Sequence, residues 1–264
     1  MPVVPPTPPP GDVLRAFGAS GHLVLLDGGR GLTWRAGGLV LRPTDDEQET
    51  VWTSEVLSTL APNAEFTAPK PVATRDGAWV QGGWHAMEWL PGRADERRVD
   101  DVIRAGQAFH EAVSAVPRPE FLDQARDAWS VADRIAWGEH APPADAFLQD
   151  LVSECREIEA PSQLIHGDLL GNVLFANGHP PTVIDWAPYW RPAGLGLAIA
   201  VVDAACWHEL PFTALSDDHR VAQWREFLLR ALAFRVATLH LFSGWDDEGL
   251  TRHAPIAEAI ARLA

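Results

Sequence analysis

The sequence predicts an α+β chain with a sheet-rich N-terminal part and a helical C-terminal part. Residues 22–43 are short apolar runs separated by glycine-rich links, the pattern of antiparallel strands joined by tight turns. Beyond Arg93 apolar residues recur at helical spacing over long stretches. The charge divides in the same way: residues 1–99 carry 9 bases against 12 acids, and residues 100–264 carry 12 against 24.

The elements follow in order. Six prolines in the first eleven residues read as an extended, disordered arm over 1–11. A sheet lobe over 12–90 and a helical lobe over 91–264 come next. Leu23–Leu26, Thr33–Arg35 and Leu39–Arg42 are strand candidates, with Asp27–Gly31 and Gly37–Gly38 as their turns. Asp45–Glu49 places acids at a helix start, and Val51, Trp52, Val56, Leu57 and Leu60 continue at helical spacing. Ala78–Val80 and Trp84–Leu90 read as strands stopped by Pro91–Gly92. Helices are expected over Val99–Val116, Ala125–Glu139, Ala144–Glu159 and Arg220–Phe242. Two β-like pieces, Val173–Phe175 and Thr182–Ile184, interrupt them.

Composition excludes several function classes. The net charge of −15 disfavours general binding to nucleic acid or anionic membrane. Cys155 and Cys206, the only cysteines, cannot build a disulfide framework or a zinc ribbon. The start lacks the basic and apolar regions of a signal peptide. The longest apolar run, Leu195–Trp207, is too short for a bilayer and contains Asp203. A soluble, cytoplasmic protein is expected. Twenty of the 21 bases are arginine, and Lys70 is the only lysine.

The segment richest in chemistry is Leu164-Ile-His-Gly-Asp-Leu-Leu-Gly-Asn-Val-Leu-Phe175, followed by Val183-Ile-Asp-Trp186. Asp168, Asn172 and Asp185 suit phosphoryl transfer. One carboxylate orients an attacking hydroxyl and accepts its proton, while an amide oxygen and a second carboxylate hold Mg²⁺ against nucleotide phosphates. His110-Glu111 lacks the second histidine of a zinc helix, and no G-x-S-x-G or Cys/His arrangement suggests a hydrolase.

In His166–Phe175 and Ile184–Trp186 the chain resembles the aminoglycoside phosphotransferase/choline kinase family, small-molecule kinases of protein-kinase-like fold. The resemblance extends diffusely over nearly everything after the proline arm. It implies a bilobal fold, a small antiparallel sheet lobe followed by a larger helical lobe, and an ATP- or GTP- and Mg²⁺-dependent transfer to a hydroxyl of a small molecule. By the same resemblance Asp168 is the catalytic base, Asn172 and Asp185 are the Mg²⁺ ligands, and His166 braces the loop. Gly29 and Gly31 belong to a glycine turn over the phosphates. Arg42, where the family usually has lysine, grips the α/β-phosphates. Its helix partner is Glu55 or Glu49, with Glu55 favoured as the neighbour of inward-facing Val56 and Leu57. Met87, Glu88 and Leu90 form the interlobe hinge, with backbone groups of Glu88 and Leu90 at the adenine edge.

Two departures from the family's pattern leave other readings open. Asn172 follows Asp168 by four positions where the family usually has five. The usual Asp-Leu-Ala after the metal aspartate is replaced by Gly194-Leu-Gly-Leu-Ala198, leaving Asp203 as a substitute brace or a structural acid. A nucleotide-binding pseudokinase or regulatory module, or a nucleotidyl transferase on the same fold, are the alternatives. Neither the acceptor nor the oligomeric state is legible.

Overall fold

The computed structural model describes residues 7–27 and 31–263. Its elements, in chain order, are α1 (Gly11–Ala16), β1 (Leu23–Leu25), β2 (Trp34–Ala36), β3 (Leu39–Pro43), α2 (Glu47–Thr59), β4 (Val80–Gln81), β5 (Trp84–Glu88) and β6 (Arg93–Ala94). Then come α3 (Val99–Val113), α4 (Phe121–Gln124), α5 (Ala128–Ala136), α6 (Ala146–Glu154), β7 (Gln163–His166), β8 (Val173–Phe175), β9 (Thr182–Val183) and β10 (Pro188–Arg191). The last are α7 (Gly194–Trp207), α8 (Trp224–Leu241) and α9 (Asp247–Ala261). The chain divides into two compact units, Met1–Gly92 with Ala176–Ile184, and Arg93–Phe175 with Asp185–Ala264.

The first unit is built on an antiparallel sheet in the order β1-β2-β3-β5-β4. Register pairs Leu41 with Ala86 and Arg42 with His85. Its core joins Val13, Phe17, Ala36, Leu41, Trp84 and Ala86, so α1 is packed on the sheet, and Pro9 just before it is buried. Helix α2 starts where Asp46 accepts the Glu49 N–H, the capping that its acidic opening predicts. Residues 176–184, which sequence order alone assigns to the helical part, join this unit. Thr67 donates to the Pro181 carbonyl and accepts from the Val183 N–H, both at 2.8 Å.

The second unit packs α5, α6 and α7 around α8, whose Phe227, Leu228, Leu229, Ala231, Leu232 and Val236 are all buried. Helix α7 is buried almost throughout, which explains an apolar run with no polar face. Sequence periodicity overran several ends. The stretch 125–139 begins as a helix only at Ala128, because Asp127 turns outward and caps Ser130. Asp145 likewise caps Leu148 and opens α6. Helix α8 starts at Trp224 and not at Arg220, since His219, Arg220 and Gln223 take φ of 48°, 63° and 57°, outside any right-handed helix. The pair β7–β10 and helix α9 were not foreseen.

Candidate active site

The loop between β7 and β8 carries His166, Asp168 and Asn172, and the structure brings all three together. His166 is fully buried, and its Nδ1 accepts the Asp168 N–H at 3.1 Å. Asn172 Nδ2 donates to the Asp168 carbonyl at 2.7 Å and to Asp168 Oδ2 at 3.1 Å. The four-residue spacing therefore closes as a compact turn, in which the Asn172 N–H also reaches the Leu169 carbonyl at 3.0 Å.

Strand pairing and close packing hold this loop from below. His166 pairs with Pro188 across β7–β10, and Gly167 N–H donates to the Ala187 carbonyl at 2.9 Å. A Cβ on Gly167 would sit 2.4 Å from the Tyr189 ring, so the Tyr189 ring itself requires glycine there. A Cβ on Gly196 would meet the His166 carbonyl at 2.4 Å, which is how α7 passes directly beneath the loop. His110 Nε2 accepts the His166 N–H at 2.9 Å. Burial, and then the neighbouring His166, push the His110 pKa down to about 3, so it is neutral and can accept. Sequence reading saw in His110 only half of a zinc motif.

Arg235, from the middle of α8, is the residue that sequence reading missed. Its Nε donates to Asp203 Oδ1 at 2.6 Å, its Nη2 bonds Asp203 Oδ2, and the same Nη2 donates to Asp168 Oδ1 at 2.9 Å. The side chains of Arg235 and Asp203 are 12% and 9% exposed, against 49% for Asp168. Burial works against the guanidinium charge, but the Asp203 and Asp168 carboxylates outweigh it and hold the arginine above its ordinary range. A buried acid paired through two nitrogens fixes the plane of the guanidinium. Asp203 is thus an ion-pair partner that reaches the loop through Arg235. Because α8 also carries Arg225, Glu226 and Arg230, no local signal in the sequence singled out Arg235.

Asp185 lies in the second unit, exposed, with φ of 55°, a left-handed conformation that Asp adopts more readily than most residues. The next residue ties it to the loop base, because Trp186 Nε1 donates to the Ile165 carbonyl at 3.0 Å.

The other predicted residues lie in the first unit. Arg42 is half-buried on β3; burial, and then the Arg42 charge, push its register partner His85 down to about 4. Glu55 does not face inward. Successive helical residues turn by about 100°, so buried Val56, Leu57 and Ser54 form one arc and Glu55 points to the opposite, exposed side. Glu49 falls on the buried arc and is half-buried. The Glu88 N–H is committed to the Lys70 carbonyl at 2.8 Å, whereas Leu90 has no hydrogen-bond partner among the described residues. Met87 is half-buried and bridges to Pro71. Gly31 has φ of 69°, and Gly29 lies outside the described residues.

Comparison with known proteins gives the family. The phosphotransferase enzyme family matches residues 32–234. This chain belongs to that family. Its members transfer phosphoryl groups to small molecules, and this chain is a small-molecule phosphotransferase in that general sense. No curated protein sequence matches it. Among solved structures it is similar to the choline kinase LicA from Streptococcus pneumoniae, with 12% identity and a TM-score of 0.58 over 92% of this chain and 94% of that one. The aminoglycoside phosphotransferase from Alicyclobacillus acidocaldarius matches with 17% identity and a TM-score of 0.55, covering 92% and 90%. The amicoumacin kinase hAmiN, solved with AMP-PNP, Ca²⁺ and Ami, matches with 14% identity and a TM-score of 0.59, covering 95% and 90%. These likenesses establish the protein-kinase-like fold. Among the described residues no helix is long and apolar enough to cross a membrane.

Proposed function

We propose that the chain transfers the γ-phosphoryl group of ATP, with Mg²⁺, to a hydroxyl of a small molecule, with Asp168 as the base. The observation that carries this reading is the orientation of Asn172. Both atoms it meets on Asp168 are acceptors, so the amide must present Nδ2 to them. Its Oδ1 is thereby left as a ligand, and Asp185 adds an exposed carboxylate. Two hard oxygens of this kind fit Mg²⁺, which when bound offsets the negative charge of the phosphate oxygens.

The protein's own groups do the rest. Asp168 accepts the acceptor's proton as the hydroxyl oxygen takes up the phosphoryl group, and the nucleoside diphosphate leaves. His166 and Asn172 hold the loop that carries this carboxylate. Arg42 binds the phosphates, with Glu49 as the helix acid on the inward arc. The Leu90 N–H and Glu88 carbonyl serve the purine, and Gly29 and Gly31 the phosphate turn. The AMP-PNP in the hAmiN structure supports an adenine nucleotide.

Thermal stabilisation by AMP-PNP with and without Mg²⁺, followed by ADP release, tests the reading. Metal-dependent stabilisation and turnover that Asp168→Asn abolishes without loss of nucleotide binding are expected. Nucleotide binding with equal turnover in both forms would refute the base, and AMP transfer in place of phosphoryl transfer would favour a nucleotidyl transferase.

A further inference from the structure

Arg235 has two donor edges. The edge formed by Nε and Nη2 is filled by the Asp203 carboxylate. The end formed by Nη1 and Nη2 carries two parallel N–H bonds, a fork that matches two adjacent oxygens. One of these is taken by Asp168 Oδ1, at 2.9 Å from Nη2. Nη1 has no hydrogen-bond partner among the described residues. An oxygen placed on Nη1 therefore stands beside Asp168 Oδ1, as the two oxygens of a bidentate carboxylate stand beside each other. That is roughly hydrogen-bond separation from the carboxylate.

The same arginine lines a recess of about 240 Å³ within the second unit, together with Leu170, Asp203, Trp207, His208, Thr238 and Leu239. Its volume is below the roughly 300–1,000 Å³ of pockets for drug-sized ligands. Leu170, Trp207 and Leu239 are apolar walls. Asp203, the one acid of the lining, is already paired with Arg235, and the Thr238 hydroxyl donates its proton to the Phe234 carbonyl at 2.8 Å. A polyammonium ligand would find a guanidinium here and no unpaired carboxylate in the lining. A compact molecule with an apolar body and one oxygen finds both of its needs met.

We propose that this recess is the acceptor site, and that Arg235 selects a compact, uncharged alcohol by holding its hydroxyl oxygen on Nη1 next to Asp168. The proposal rests on the phosphotransferase reading with Asp168 as base and adds the acceptor class to it. Arg235 is then the residue that registers the acceptor against the base, with Asp203 as its anchor.

The test is ligand-observed saturation-transfer NMR on the full chain with benzyl alcohol as probe, kanamycin and choline as competitors, and AMP-PNP/Mg²⁺ stabilisation followed on the same samples. Benzyl alcohol is expected to bind, to resist displacement by either cation, and to lose at least about five-fold in affinity in Leu239→Trp, which fills the recess. Arg235→Lys keeps the charge against Asp203 but removes the fork, and it should weaken the probe by a similar factor while leaving nucleotide stabilisation in place. Absence of probe binding, displacement by kanamycin or choline, or unchanged binding in either variant overturns the proposal. Loss of nucleotide stabilisation in the wild type with probe binding retained would instead count against the phosphotransferase reading.

Discussion

Asn172 Nδ2 donates to Asp168 twice, to its carbonyl at 2.7 Å and to its carboxylate at 3.1 Å. One amide thus orients the proposed base and leaves its own oxygen for the proposed cation, and the two proposed duties can be separated. In Asn172→Ala the Mg²⁺ concentration for half-maximal nucleotide stabilisation should rise about 10-fold or more, the usual scale for weakened metal sites, and turnover should fall about 100-fold. Asn172→Asp restores an oxygen ligand but faces Asp168 with a like charge, so Mg²⁺ dependence should recover while turnover does not. Mg²⁺ titrations and ADP-release assays on both variants check this.

The local arrangement of that loop was legible because it is contiguous: His166, Asp168 and Asn172 lie within seven residues, and His166 and Asn172 each bond Asp168 directly. Strands β1 to β3 were legible because glycine turns punctuate alternating apolar runs. Arg235 was not, since it meets Asp168 across 67 positions and is one of three arginines along α8, with nothing local to set it apart. Adjacency to Val56 and Leu57 does not put Glu55 on their face, because a helix rotates each neighbour away, and Glu55 is exposed. Helix α9 is hidden in the sequence because Pro255, a residue that ordinarily ends helices, falls inside it.

Variants of Lys70 and of Arg42, the proposed phosphate ligand, should differ in kind. Lys70 Nζ meets the carbonyls of Leu57 at 3.4 Å and Ser58 at 3.3 Å, and that of Leu60, a cation at the C-terminal end of α2. Lys70→Met should cost about 1 kcal/mol, lowering Tm by roughly 2–4 °C for a chain of this size, with nucleotide affinity unchanged. Arg42→Ala should reduce nucleotide affinity at least about 10-fold, the worth of a charge-assisted contact. Thermal melts with and without AMP-PNP distinguish the two.

Buried His110 makes stability depend on pH in a definite direction. Its pKa is about 3 in the folded chain and near the ordinary 6.5 when unfolded. The unfolded state therefore takes up the proton first, and stability is complete above about pH 6.5 and declines as pH falls towards 3. Between pH 7 and pH 5 this one group should remove roughly 2 kcal/mol, and His85, at about 4, acts in the same sense. Urea unfolding at the two pH values should give that loss in the wild type and a smaller one in His110→Gln, whose amide oxygen can still accept the His166 N–H. Equal losses would remove His110 as the cause.

Arg191 ties β10 to α5 beneath the loop. Its Nε and Nη2 reach Asp133 at 3.0 and 2.7 Å, and Nη1 and Nη2 reach Glu139 at 2.6 and 2.8 Å. Asp133 is buried, and burial pushes its pKa up against the pull of Arg191. Arg191→Met leaves that carboxylate without its counter-charge and should cost about 3–5 kcal/mol at pH 7, while Arg191→Met with Asp133→Leu should recover most of the loss, because the penalty belongs to the stranded charge. The single variant also has a signature in pH. With its partner gone, folded Asp133 holds its proton at a higher pH than the unfolded chain does, so the deficit is full above the folded pKa and shrinks as pH falls towards the ordinary carboxylate range. Denaturant midpoints of wild type and Arg191→Met should therefore converge on acidification, and parallel curves would show that the loss comes from packing against Trp137, whose ring centre lies 4.7 Å from the guanidinium carbon.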